Sequence, residues 1–374
     1  GGWKGNQLIR FGGSYYYWQD NRNVGSFQNG QYTFEGGIPA ALNNFVLGTV
    51  STFSTAINPL GAAPGGTIAL PVTPANFNRS ISAHDFSLYF NDSWRISPRV
   101  NVVLGLRYDF FDTPRSRNDQ IFLNYFLGPG SDSFSQVANG QLAAPGAVLP
   151  PGSQTANQFF KRDWNNFAPR LGIAWDITGN GRTSLRAGYG ITYERLFYAV
   201  SPFFQTTSDF AIVSLTAGTP GVGPIPLSTS NFGPLSGTTG TAVLPPTLVR
   251  GIESDIQTPR VHFWTVSLEH EIFPNTVAAV QYAGAAGRDL FTLSNVNRPG
   301  SAAAFLGSPD LTARLNPTFG PIFFLTTSGK SNFNAFIVDV SNSSWRRLGL
   351  GFSARYRFAK ALDNVSGIFG NNIG

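Results

Sequence analysis

The sequence contains no cysteine and no methionine, and it has only three histidines, His84, His262 and His270. The absence of cysteine excludes a disulfide scaffold, a cysteine-based zinc site and thiol catalysis. Three histidines leave little material for a histidine-rich metal site. Charged residues make up 12% of the chain, about half the roughly 25% that is usual for a soluble globular protein. A surface rich in charged residues therefore does not explain how this protein is compatible with its solvent.

Long hydrophobic runs and recognisable catalytic motifs are also missing. No stretch approaches the roughly 18 consecutive apolar residues of a transmembrane helix. The 26 Lys and Arg residues outnumber the 20 Asp and Glu residues, but they are scattered, so no nucleic-acid-binding footprint is visible. The motifs of zinc peptidases, serine hydrolases and phosphate-binding loops do not occur. We therefore expect no enzyme, no cofactor, no metal site and no nucleic-acid partner.

Three segments, 100–110, 183–194 and 349–358, alternate between apolar and polar residues. Because successive strand residues point to opposite faces, each segment predicts a strand with one apolar and one polar face. The runs reach about 10–11 residues, which is enough for a tilted strand to cross a bilayer, whereas ordinary strands cluster near about 5–6. We expect the charges on the polar faces to line a hydrated, salt-bridged interior, with substrate contact as the alternative: Arg107, Asp109, Arg186, Glu194, Arg355 and Arg357.

Short turns and long connections alternate along the chain. Polar turns follow the runs near residues 96–99, 178–182, 273–276 and 343–348, whereas long connections rich in Gly, Pro, Ser and Thr span about 37–83, 111–166, 195–260 and 285–332. Outer-membrane β-barrels have this asymmetry, with short periplasmic turns and long extracellular loops. Compact soluble domains rarely carry repeated loops of such length without regular structure. The pattern favours an all-β, antiparallel transmembrane β-barrel over a soluble β protein.

The aromatic residues fit that topology. Three tryptophans lie next to the short turns, namely Trp94, Trp175 and Trp345. Four further aromatic residues are expected toward the long-loop ends, namely Trp264, Tyr108, Tyr193 and Tyr356. This placement predicts two aromatic girdles, one at each membrane interface. A general preference of aromatic residues for strands would explain their number but not their position.

Two hairpins resemble the barrel of TonB-dependent outer-membrane receptors. Residues 86–109, FSLYFNDSWRISPRVNVVLGLRYD, match the family pattern of an Asp-x-Trp strand end, a proline turn and a Leu-x-Leu-Gly-x-Arg-Tyr-like return. The matching residues are Asp92, Trp94, Pro98, Gly105, Arg107 and Tyr108. Residues 166–189, NFAPRLGIAWDITGNGRTSLRAGY, resemble the next family hairpin. Residues 258–290 and 332–363 are similar to the large-barrel subgroup that carries an N-terminal carboxypeptidase-regulatory-like domain.

This resemblance implies a receptor in the outer membrane of a diderm bacterium. In the family, extracellular loops and a plug bind a scarce nutrient, and a TonB-type complex of the inner membrane supplies the energy for its release. The family barrel has about 22 strands, whereas residues 1–374 contain about 11 or 12 candidate strands, no plug domain and no TonB box. The chain is therefore interpreted as a single, incomplete β-barrel region in contact with outer-membrane lipid. Its N-terminus, Gly1-Gly2-Trp3-Lys4, predicts a processed product or a fragment.

An open sheet would leave unpaired backbone groups that lipid cannot satisfy. We expect the remaining strands to come from the same longer chain or from other copies, and a smaller closed barrel or sandwich outside the membrane is the third possibility. The alternative function is that of a structural or adhesive β-protein, which assembles barrel-derived sheets on the cell surface or as extracellular multimers. A structure in which the apolar faces met in a dry centre would contradict the membrane interpretation.

Overall fold

The computed structural model describes residues 2–23, 27–59, 66–117, 124–143, 160–195, 211–218, 222–237, 239–244, 246, 248–343 and 349–365. Within these ranges the strands are β1 Gly2–Lys4, β2 Gln7–Asn23, β3 Gln31–Thr33, β4 Thr52–Asn58, β5 Thr67–Ala69, β6 Thr73–Pro74, β7 Asn78–Ser97, β8 Val100–Phe110, β9 Arg115–Ser116, β10 Asn124–Phe126, β11 Gln141–Ala143, β12 Phe167–Asp176, β13 Thr183–Tyr193, β14 Ala211–Thr216, β15 Thr241–Val243, β16 Val249–Ile252, β17 Arg260–Phe273, β18 Thr276–Asn295, β19 Ile322–Asn342 and β20 Phe352–Asp363.

Helices are few and short. They are α1 Gly37–Val46, α2 Ser133–Ala138, α3 Ser301–Leu306 and a 3-10 helix at Gly233–Ser236. None of the helices in the described ranges has the length and apolar character that crossing a bilayer requires.

Nine long strands form one antiparallel sheet, which we call the wall sheet. Its order is β2-β7-β8-β12-β13-β17-β18-β19-β20, so each long strand pairs with the long strand that follows it in the chain. The nine strands contain 10 to 21 residues. This meander of long strands confirms the predicted antiparallel all-β fold.

The two ends of the wall sheet differ. At one end, β7 and β8 are joined through residues 98–99, β12 and β13 through 177–182, and β17 and β18 through 274–275. All four long connections leave from the opposite end, and they span residues 24–77, 111–166, 194–259 and 296–321. The predicted alternation of short turns and long loops is therefore present.

Several wall strands extend further than expected. β7 begins at Asn78, β18 continues to Asn295 and β19 begins at Ile322. The loop ranges predicted at 37–83 and 285–332 therefore include residues that belong to strands. The side chains lose their apolar-polar alternation near the long-loop end, but the backbone ladder continues there. Backbone pairing does not depend on side-chain polarity, which is why the alternation underestimates the strand length.

The long connections are folded, contrary to the expectation that they lack regular structure. A four-stranded sheet combines β3, β4 and β6 of the first connection with β14 of the third, and two-stranded sheets join β10 to β11 and β5 to β15. A buried cluster joins Ile57 and Ile68 of one connection to Val213 and Leu244 of another. Alternation within one segment cannot reveal such a core, because its members lie about 150 residues apart in the sequence.

The register of the wall sheet brings the apolar faces of neighbouring strands to the same side. Leu104 lies opposite Leu171, Leu171 opposite Tyr189, and Tyr189 opposite Trp264. Leu104 is 44% exposed and Leu171 is 50% exposed. This face therefore does not pack into a dry centre within the described chain. A contiguous exposed apolar surface of this kind marks contact with lipid or another apolar partner.

Candidate functional site

The polar face of the wall sheet carries the charged residues that were singled out in the sequence. Arg107 Nη2 lies 2.8 Å from Asp109 Oδ1, and Arg355 Nε lies 2.9 Å from Asp339 Oδ2. Arg186 lies 3.7 Å from Glu269. Most of these charges are therefore paired with a neighbour on the same face, as in a salt-bridged surface. That this surface faces a lumen stays a prediction.

The two remaining predicted charges have different surroundings. The guanidinium carbon of Arg357 lies 5.3 Å from the ring centre of Phe333, which gives a cation–π contact. Glu194 directly follows β13, is exposed, and its backbone N–H donates a hydrogen bond to the carbonyl of Pro259. Glu194 thus lies where the wall sheet meets the long connection.

Most predicted aromatic residues lie at the expected ends of their strands. Trp94 and Trp175 are close to the short turns, and Tyr108, Tyr193 and Trp264 lie in the long-loop halves of β8, β13 and β17.

Two other aromatic predictions have a different outcome. Trp345 lies outside the described residues. Tyr356 was predicted at the long-loop end, but it lies four residues after Phe352, the first residue of β20. β20 starts at the short-turn end, since it follows the short connection after β19, and this direction places Tyr356 in the opposite half. Whether the aromatic residues form girdles stays a prediction.

Buried carboxylates join the wall sheet to the long connections. Asp85 lies on the polar face of β7, and its Oδ2 is 2.7 Å from Arg195 Nη2. Its Oδ1 accepts a hydrogen bond from the backbone N–H of Asp112 at 3.0 Å. Asp112 Oδ1 in turn lies 2.7 Å from Arg162 Nε. Each carboxylate is largely withdrawn from water, so its arginine partner is needed to offset the loss of hydration.

An apolar cluster lies at the same end of the wall sheet. Ile81, Phe160, Ile256 and Leu325 are buried against one another, with Trp18 packed beside them. The guanidinium of Arg195 lies 5.0 Å from the ring centre of Trp18. The long connections are thus fixed to the wall sheet by both ion pairs and apolar contacts. Sequence reasoning missed this network, because its members are dispersed between residues 18 and 325.

A second network holds two long connections to each other. Tyr125 is fully buried, and its hydroxyl donates to the carbonyl of Val137. Burial raises the pKa of Tyr125 to about 12. The side chain of Asn316 donates at 3.3 Å to Tyr125 Oη. The amide of Asn297 donates to three carbonyls of the same loop, at 2.8 to 3.1 Å. These bonds give the loops one defined conformation.

The polar face also contains a small notch across β7, β8 and β12. It has a volume of about 220 Å³ and is bordered by Tyr89, Phe90, Asn91, Gly105, Leu106, Arg107 and Arg170. By contrast, no group of three potential metal ligands occurs in the part of the chain that the structure describes. His84 and Asp85 point to opposite faces, and His84 Nδ1 lies 2.6 Å from Tyr15 Oη.

A family model described as an outer membrane beta barrel domain matches residues 3–374. The chain belongs to the outer-membrane β-barrel domain family. Membership places this β-barrel domain in the outer membrane, and it confirms the predicted fold class and the resemblance to the barrels of outer-membrane receptors. No curated protein sequence matches the β-barrel domain.

Solved structures similar to this β-barrel domain include two transporters and a receptor. The FrpB iron transporter from Neisseria meningitidis (F5-1 variant, apoprotein form) has a TM-score of 0.42 and 9% identity, over 96% of this chain and 35% of that chain. The outer membrane transporter YddB from Escherichia coli gives 0.37 and 12%, over 84% and 34%. The siderophore receptor PirA from Pseudomonas aeruginosa gives 0.37 and 13%, over 83% and 42%. The β-barrel domain thus spans less than half the length of each.

Proposed function

We propose that this β-barrel domain forms part of the wall and the extracellular loops of a TonB-dependent receptor that takes up a scarce nutrient. The observation that carries the proposal is the two-faced wall sheet. One face is apolar and exposed, as lipid contact requires, and the other carries paired charges suited to a water-filled interior. The folded connections at one end supply a surface for capturing a ligand outside the cell.

In this arrangement, residues 1–374 form one region of the barrel wall. The missing strands and the plug would belong to the same longer chain, and an energy-coupling TonB-type complex would act on that chain, as the family resemblance implies. In this arrangement the β-barrel domain contributes positioning and binding surfaces rather than catalysis.

A structural or adhesive role is the second candidate, and the exposed apolar face of the wall sheet favours it. Leu104 and Leu171 on this face are 44% and 50% exposed. A contiguous exposed apolar surface fits burial against another protein surface as well as contact with lipid. In this alternative, a second copy supplies the partner strand and the apolar faces are buried between sheets.

Spin-label accessibility tests the receptor proposal. Nitroxides at 104, 185 and 352 should be accessible to oxygen in the bilayer, whereas nitroxides at 107, 186 and 355 should be accessible to a water-soluble nickel complex, because the two sets lie on opposite faces. The measurement uses the protein reconstituted in liposomes. Equal accessibility of both sets would contradict a membrane-spanning wall.

Mass spectrometry of the native protein distinguishes the two candidate functions. A longer chain with a plug would support the receptor, whereas a multimer outside membranes would support the structural assembly.

A further inference from the structure

The notch on the polar face exists because a glycine lies between two larger residues. Asn91 of β7 and Arg170 of β12 are the direct cross-strand neighbours of Gly105 on β8. A Cβ atom added at Gly105 would lie 2.9 Å from Asn91 Oδ1 and 3.3 Å from Arg170 Cβ. The glycine therefore lets the Asn91 side chain lie over the β8 backbone at the notch, and any other residue at position 105 would displace it.

The surroundings of this space carry an excess of positive charge. Arg107 is neutralised by Asp109, with Nη2 to Oδ1 at 2.8 Å. Arg170 and Arg10 are both exposed, and Arg10 lies opposite Asn91 in the register. Within the described ranges, neither Arg10 nor Arg170 forms an ion pair or a side-chain hydrogen bond. Arg186 and Arg355, elsewhere on the same face, each have a carboxylate partner.

Most of the exposed lining of the notch is apolar, and its polar border is formed by Arg107, Arg170, Asn91 and Tyr89. A guanidinium offers a planar fork that matches the two oxygens of a carboxylate or phosphate. The Asn91 amide and the Tyr89 hydroxyl can donate from the β7 side. Their side chains extend from the same face, since both residues have the same parity on β7.

We propose that this notch binds a small oxyanion, namely a solute that carries carboxylate or phosphate groups. The inference rests on the proposed function, because it requires the polar face to line a water-filled interior. The volume of about 220 Å³ is below the roughly 300–1,000 Å³ of pockets for drug-sized ligands, so the ligand is small, such as a di- or tricarboxylate. Arg170 provides the unpaired charge, and Gly105 provides the space.

Citrate binding to the protein purified from outer membranes in detergent tests the proposal. Equilibrium dialysis at low ionic strength should show saturable binding to the wild type. The R170Q variant should bind citrate about tenfold more weakly or worse, which is the scale of losing a charge-assisted hydrogen bond. The G105A variant should show a loss of similar size although it removes no charge. Circular dichroism confirms that each variant is folded.

The control is R182Q, which removes the same charge at a turn residue that pairs with Glu271 rather than lining the notch. Its affinity for citrate should stay within roughly twofold of the wild type. Absence of saturable binding, or equal losses in R170Q and R182Q, would overturn the proposal and indicate only diffuse attraction. If citrate does not bind but spin-label accessibility still alternates between the two faces, the receptor proposal stands and only the notch proposal is rejected. If accessibility does not alternate, both proposals are rejected.

Discussion

At the residue scale, the folded loops depend on single buried polar groups. Tyr125 has a pKa raised to about 12 from an ordinary value of 10.0, because its phenol is desolvated. The folded state therefore favours the neutral phenol. Its contribution to stability is fully present below about pH 10 and is lost as the pH rises through about 12.

We expect the near-UV circular dichroism of the protein to show alkaline loss of loop structure in that pH window. The Y125F variant should lose about 1–3 kcal/mol at neutral pH, since the Val137 carbonyl and the Asn316 amide lose a partner. It should also lose the alkaline transition assigned to this phenol. Y356F is the matched control, because Tyr356 is 67% exposed. An unchanged alkaline transition in Y125F would show that another group is responsible.

At the element scale, each wall strand has two faces that tolerate different chemistry. Val280 and Gln281 are adjacent on β18 but belong to opposite faces. Val280 lies opposite Leu268 and Val338, whereas Gln281 lies opposite Ser267 and Ile337 and donates to Thr265 Oγ1 at 3.0 Å. Neighbouring residues therefore form a matched pair for substitution.

We predict that V280R destabilises the protein in liposomes by about 2–4 kcal/mol, the range for a cation on the lipid face of an outer-membrane barrel. Q281R should have a smaller effect, because its guanidinium can remain hydrated on the polar face. Urea titration of folding measures both variants. Equal destabilisation by the two substitutions would mean that both faces of the strand contact the same solvent, which would contradict a lipid face and a water face.

At the scale of the whole molecule, the separation of turns from long connections predicts a direction across the membrane. The long connections should be extracellular and the short turns periplasmic. Residues 1–374 contain no cysteine, so an introduced cysteine is the only thiol in this region of the barrel.

We expect L311C to react with a membrane-impermeant maleimide on intact cells, because Leu311 is 80% exposed in the connection between β18 and β19. P98C, in the turn between β7 and β8, should react only after the outer membrane is permeabilised. Labelling of cells before and after permeabilisation makes the comparison. Reaction of P98C alone on intact cells would reverse the predicted orientation.

The sequence by itself determined the two-faced character of the wall strands, although not the full length of β7, β18 and β19. Alternation in 100–110 and 183–194 depends only on the two-residue period of a strand, and turn chemistry depends on a few adjacent residues, so both are local properties. The strand faces, the antiparallel order and the position of Trp94 and Trp175 were therefore predictable. The same reasoning failed for Tyr356, because it depended on the direction in which β20 runs.

Only the tertiary structure decided how the long connections fold and where the buried networks and the notch lie. The Asp85–Arg195 ion pair, the Ile57–Val213 contact region and the notch at Gly105 each combine residues from segments that are distant in the chain. The register between strands selects which side chains meet, and no pattern within a single segment contains that information. The two faces of each strand could be predicted because the two-residue period of a strand is a local property of the sequence. The buried networks and the notch required the structure, because they depend on which distant segments lie close together in space.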